Sequence, residues 1–168
     1  TLEALGISGA YAGAVALAGN PQLLSRTYLA RYVVAQGHCS SMQQVFDLYL
    51  GDNGPAFVPH QWAKLADAVG WIRGAGGVAV IAHPGRYGFS ATAEWALFTD
   101  FVAAGGQGLE VATGSHRPDE LPTYADLGRQ FKLAHSCGSD FHGSKESRHD
   151  LGHYPQISLK LPAVWDLI

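Results

Sequence analysis

Hydrophobic and polar positions follow two different rhythms along this chain, and the change comes near residue 56. In the first part apolar side chains recur at helical intervals between turns. The run "NPQLLSRTYLARYVVAQG" opens with Asn20 as a candidate cap and Pro21 at a first helical position. Leu24, Tyr28, Tyr32 and Ala35 then recur at helical spacing, and Gly37 can end the helix. "SSMQQVFDLYL" repeats the plan, with Ser40 or Ser41 as cap and Val45, Phe46 and Leu48 to Leu50 as its apolar side. The glycines and prolines of "GDNGPAFVP" break this pattern. A subdomain boundary is expected there, between residues 1–56 and 57–168.

Beyond the boundary, helical stretches alternate with short β-branched and apolar runs. "QWAKLADAVGWIRGAGG" predicts a helix and "VAVIAHPG" a strand closed by Pro and Gly. "TAEWALFTDFVAAGG" and "DELPTYADLGRQFK" predict two further helices, interleaved with strands in "GLEVATG" and "LAHSCGSDFHG". Helix and strand taking turns in this way is the pattern of α/β units on a parallel sheet. Each predicted strand is followed by polar residues: His83 after the first, Thr113 to Arg117 after the second, Asp140 and His142 after the third. The C-terminal ends of parallel strands are where enzymes of this class carry their chemistry.

Composition narrows the class. A length of 168 residues fits one domain, and 47% hydrophobic against 15% charged residues belongs to a folding, globular chain. The net charge of -3 supplies no basic field for duplex DNA or a membrane surface. No apolar run approaches the roughly 20 residues that span a bilayer. Cys39 and Cys137 lie far apart with no C-x-x-C, so neither a disulfide framework nor a zinc knuckle is expected, and two free thiols fit a reducing cytoplasm. The opening "TLEALGISGAYAG" has no signal-peptide character and no initiating Met, so a piece of a longer protein is expected.

The chemistry centres on three residues. A carboxylate at Asp140 and an imidazole at His142 are both able to face one ion from a strand end, and such oxygen and nitrogen donors suit zinc, manganese or iron. Taken alone, the pair reads first as a capping aspartate and a loop histidine. His83, at the matching end of another strand, turns the reading toward ligands. Two ions roughly 3.5–4 Å apart would clamp a phosphate and activate water. Arg86 is placed to fork two donors onto that phosphate, or to pair with a carboxylate at the surface. Arg26 on the first-half helix is a further phosphate candidate, with an ordinary exposed arginine as the other reading. His116 and Arg117 would reach a phosphate or donate a proton, unless "GSHRP" is simply a solvated turn. Glu110 is expected to orient a ligand histidine or to make a structural hydrogen bond. His38, His60, His135, His149 and His153 read as ordinary, the last two because "HDLGH" carries Gly152 and is followed by Pro155. Trp62, Trp71, Trp95 and Trp165 read as core or interface aromatics, and Cys137 as a buried small apolar residue.

In their order, "AVIAHPGRY", "GLEVATGSH" and "CGSDFHG" resemble the PHP metal-dependent phosphoesterases, and more narrowly their TrpH-type branch. The resemblance covers nearly the whole chain, since "GAYAGAVALAGNPQLLSRTYLARYVV" is similar to that branch's inserted cap. It implies an α/β fold, the C-terminal portion of a distorted (β/α)7 barrel over residues 57–168 with a helical cap insertion over 1–56. It also implies two or three divalent metals (manganese, zinc or iron), with His83, Asp140 and His142 as ligands and catalytic residues. The implied reaction is hydrolysis of phosphate esters in 3′,5′-bisphosphonucleotides or at the 5′ ends of short RNAs.

Two departures qualify this. Tyr28 stands where relatives often carry a histidine after the Ser-Arg pair. The family's opening H-x-H motif, with the Asp, His and Glu ligands that follow it, is expected upstream of Thr1, so residues 1–168 by themselves are expected to be a poor catalyst. An incomplete barrel would leave a sheet edge open to self-association. The expected partners are a phosphorylated small molecule, a nucleotide or short single-stranded RNA, with no duplex DNA and no membrane. Two alternatives stay open: a non-catalytic module binding nucleotide or a partner, and an amidohydrolase-like enzyme acting on C–N bonds.

Overall fold

The computed structural model describes residues 1–59, 61–144, 147, 149–155 and 161–168. The chain divides into two compact units, Thr1–Gln61 and Trp62–Ile168, with the break a few residues beyond the expected position. No helix among the described residues is long and apolar enough to cross a membrane.

The first unit is helical: α1 (Ala10–Ala18), α2 (Arg26–Ala35) and α3 (Met42–Val45), the last running into a π-helical turn at Phe46–Leu50. The single helix expected from Pro21 onward is two elements. Asn20 does cap, its side chain accepting the Gln22 N–H at 3.0 Å, but it caps only a 3₁₀ turn at Pro21–Leu23. Leu24 and Ser25 are extended, which interrupts the helical ladder until α2 begins. At α3 the cap is Ser41, whose hydroxyl accepts the Gln44 N–H at 3.2 Å. Gln44 in turn accepts from the Ser40 N–H at 2.8 Å, so neighbouring orphan donors are satisfied reciprocally. Ile7, Ala30, Val33 and Val45 fill the core of this unit.

The second unit is a parallel three-stranded sheet in the order β1 (Val80–Ile81), β2 (Gly108–Thr113), β3 (Ala134–Gly138). Helix α4 (Leu65–Gly74) precedes it, and α5 (Ala91–Ala103) and α6 (Leu121–Gln130) make the two crossovers. This α/β order is the one expected. The described residues form an open sheet of three strands, and β1 is shorter than "VAVIA" suggested. The central strand β2 is the most buried, as a parallel sheet covered by helices requires. Its Leu109 and Val111 meet Phe98 and Phe101 of α5, Tyr124 and Ala125 of α6 and Val69 of α4. Beyond β3, His135 donates its N–H to the Pro162 carbonyl at 2.8 Å, which covers part of that edge.

Two expectations about burial are corrected. None of the four tryptophans is core; Trp62 is 79% exposed and even Trp95, packed on Phe131, is 49% exposed. The core is closed by Phe, Leu and Val instead, and on α4 only Val69 is buried, leaving Trp71 outside. Cys137 is half-buried, while Cys39 is the buried thiol.

Close approach explains one glycine. A Cβ on Gly13 of α1 would strike the ring of Tyr32, which is held on α2 by a 3.0 Å hydrogen bond from its hydroxyl to the Ser8 carbonyl. Gly13→Ala should therefore destabilise the protein by about 1–3 kcal/mol, although alanine is the better helix former. Urea denaturation checks this, and an unchanged or raised midpoint would show that the ring yields freely.

Candidate active site

Because the three strands are parallel and adjacent, the loops that leave their C-terminal ends share one rim. His83 follows β1, Ser115 and His116 follow β2, and Asp140 and His142 follow β3. Among the described residues only four non-glycine positions have positive φ, and two of them, His83 (30°) and Asp140 (53°), stand here. Left-handed backbone costs an L-residue about 1–2 kcal/mol, so neighbouring groups must hold it.

For His83 the holder is Glu110 of β2, whose carboxylate accepts the His83 N–H at 2.6 Å. A register shift between Glu110 and Ala112 marks a bulge at Val111, a common device for re-aiming side chains beside active sites. The Val111 carbonyl receives a hydrogen bond from His116 Nδ1 at 3.3 Å. The opposite nitrogen, Nε2, accepts the Gly85 N–H at 3.1 Å, which fixes the tautomer. His116 is buried and stacked on Tyr124 with ring centroids 4.8 Å apart. Burial pushes its imidazole below the ordinary value, so the ring is neutral. A Cβ on Gly85 would meet both the His116 ring and the Glu120 carboxylate at 3.0 Å. His116 thus braces the turn that carries His83 and Arg86.

Asp140 gathers the polar groups of the rim. His142 Nε2 lies 3.1 Å from one carboxylate oxygen and Arg86 Nη1 3.5 Å from the other. Burial pushes the Asp140 carboxyl up, but hydrogen bonds from Ser115 and His142 and the His142 and His83 imidazoles outweigh it, so it sits below the usual carboxylate range. Glu110 goes the other way: burial raises it and the Asp140 charge adds to this, against the pull of the His83 N–H, the His83 imidazole and the Thr113 hydroxyl. Two carboxylates within electrostatic reach are therefore pushed apart by their surroundings.

The donor chemistry fits part of a metal site. His83 Nδ1 is buried without a hydrogen-bond partner, an arrangement that costs free energy unless something binds there. Among the described residues no three His, Cys, Asp or Glu side chains are gathered closely enough to hold an ion by themselves. The set is thus partial, and an ion would need further donors.

The sequence-predicted residues sort as follows. His83, Asp140, His142 and Arg86 come to the one rim. His116 is close by but has both nitrogens engaged, so it is not the solvated turn residue that "GSHRP" allowed. Arg117 is committed to Asp119 at 3.2 Å and Glu120 at 3.7 Å. Arg26 belongs to the other unit, where it donates to the Leu50 carbonyl at 3.2 Å and lies 3.7 Å from Asp52. His60 lies outside the described residues. Ser115 was not singled out from the sequence; its position two residues after the end of β2 was the available signal.

Parallel strands bearing histidine, aspartate and arginine at one rim define an α/β fold like that of a phosphoesterase, and the comparisons agree. No family model matches the chain. A 3′,5′-nucleoside bisphosphate phosphatase of Chromobacterium violaceum is 47% identical over 98% of this chain and 58% of its own length. A 5′-3′ exoribonuclease of Haemophilus influenzae is 43% identical over 84% of this chain and 51% of its own. A solved structure described as an amidohydrolase from C. violaceum, with bound sulfate and no metal, superposes with a TM-score of 0.90 at 47% identity, covering 99% of this chain and 58% of that one. A second, described as a metal-dependent phosphoesterase from Bifidobacterium adolescentis, gives 0.66 at 25% identity, over 77% and 45%. These likenesses fit the PHP-type, TrpH-like resemblance of the sequence, and the chain spans roughly half the length of the curated relatives it matches.

The clamp on His83 makes a specific prediction. Glu110→Ala should strand the His83 N–H, lower stability by about 1–3 kcal/mol and speed hydrogen exchange at that amide, whereas Glu110→Gln, which keeps an acceptor, should retain most of the protection. Exchange measured by NMR decides it; an equally protected His83 amide in the alanine variant would mean that the turn is held by something else.

Proposed function

We propose that this chain works in a metal-dependent phosphoesterase that hydrolyses phosphate esters of nucleotides, at 3′,5′-bisphosphonucleotides or the 5′ ends of short RNA. The observation that carries this reading is the unpartnered, buried His83 Nδ1 on the rim where Asp140, His142 and Arg86 meet. The names of the relatives point to the same substrates. His83, Asp140 and His142 are this chain's share of the ligand set, and the remaining ligands come from elsewhere in the protein, in the part that completes the barrel. Residues 1–168 alone are then poor catalysts, because a partial set holds ions loosely.

Bound divalent ions would supply Lewis acidity toward the phosphate ester and its attacking water. The residues of this chain orient and neutralise. Arg86, with a half-exposed guanidinium, exchanges its long contact with Asp140 for two phosphate oxygens. Asp140 stays ionised at neutral pH and holds His142 through Oδ1. Glu110 and His116 keep the His83–Arg86 turn in register with β2. A C–N hydrolase is the second reading, favoured by the description of one solved relative as an amidohydrolase; release of phosphate rather than amine from a nucleoside bisphosphate separates the two.

Asp140→Asn in the complete protein should weaken metal binding by at least about tenfold, since loss of a mere supporting partner already costs that much. Phosphate release should fall with it while the far-ultraviolet circular dichroism stays unchanged. Elemental analysis and a phosphate assay on a nucleoside 3′,5′-bisphosphate test this; wild-type metal content and turnover in the variant would remove Asp140 from the site.

A further inference from the structure

Beside the rim stand two aromatic side chains that neither the core nor the ligand set uses. Tyr87 and Phe89 directly follow Arg86, and they are 38% and 53% exposed. Gly88 between them has a φ of 63°, a left-handed turn that folds the chain so that the two rings meet, with centroids 5.5 Å apart at 52°. The Tyr87 ring is fixed before any ligand arrives. Its hydroxyl donates to the Ala82 carbonyl at 2.7 Å, and the ring meets His83 edge-on, with centroids 6.1 Å apart at 80°.

A large apolar face held open to solvent on the same turn as a half-exposed guanidinium has a chemical consequence. The Arg86 contact to Asp140 is long, at 3.5 Å, and its side chain is 58% exposed, so an anionic group can take its place. Tyr87 and Phe89 are the aromatic residues that follow Arg86 on the same turn. The geometry points to these two residues as a stacking platform for the base of a nucleotide whose phosphate lies on Arg86. A rigid aromatic face suits this occupant because every base has a π-face and the platform loses little freedom on binding. The platform rests on the phosphoesterase reading and makes it specific: the enzyme selects nucleosides over other phosphate esters, through stacking and with little preference among bases.

The test compares kcat/KM of the complete protein on a nucleoside 3′,5′-bisphosphate, on the same sugar bisphosphate without a base, and on a 5′-phosphorylated dinucleotide. Phe89→Ala should lower the ratio of nucleoside to base-free turnover by at least about fivefold. The loss should lie in KM and be recovered in Phe89→Trp. A similar loss on the mononucleotide and on the dinucleotide places the platform under the base next to the reacting phosphate in both sources. A ratio that does not change, or that changes for the dinucleotide alone, overturns the platform while leaving the phosphoesterase reading in place. No phosphate release from any substrate by the wild-type protein overturns that reading first and the platform with it.

Discussion

A single hydrogen bond, from the His83 backbone to the Glu110 carboxylate, keeps the rim assembled. His83 sits in a conformation that its own side chain disfavours, and at 2.6 Å the charged acceptor is among the strongest partners a backbone N–H can find. Glu110 is able to act because β2 is the central, covered strand of the sheet, paired on both sides and hard to move. The stability of the hydrophobic core is thereby passed to one strained turn. Strain of this kind persists only where the surroundings over-determine it, and here the surroundings are Glu110 on one side and the His116–Gly85 contact on the other.

The same turn carries Arg86, Tyr87 and Phe89, so one anchoring point sets the relation between a guanidinium, an aromatic face and an unpaired imidazole nitrogen. On the facing loop, Gly114 allows the close approach of Ser139, because a Cβ there would collide with the Ser139 carbonyl. Asp140 follows at once, in its own left-handed conformation. The rim therefore collects carboxylate oxygens and imidazole nitrogens in a partly buried place.

Much of this was legible in the residues. Alternation of helix and strand pointed to the parallel sheet, and the rule that polar residues cluster at strand ends pointed to His83, Asp140 and His142, with Arg86 added for standing three residues after His83. Other features depend on contacts that no local pattern encodes. The bulge at Val111 exists because β2 and β3 differ in register, and His116 binds the carbonyl there, where "GSHRP" left a phosphate-facing group and a solvated turn both open. Arg26 was chosen for its place on the first-half helix and Arg117 for following the second strand, and nearby carboxylates or carbonyls engage them. The helix expected from Pro21 splits because an asparagine cap suffices to satisfy a short 3₁₀ turn. The tryptophans read as core or interface aromatics, and the core half of that reading fails because the core volume is taken up by Phe98, Phe101 and Leu109.

The position of a bound ion tests the shared rim most directly. Crystals of the complete protein soaked in zinc, with the ion located by anomalous scattering, should show a peak about 2.0–2.2 Å from both a His83 ring nitrogen and an Asp140 carboxylate oxygen. Peaks remote from both residues, with His83 Nδ1 hydrogen-bonded to protein in that structure, would contradict the site.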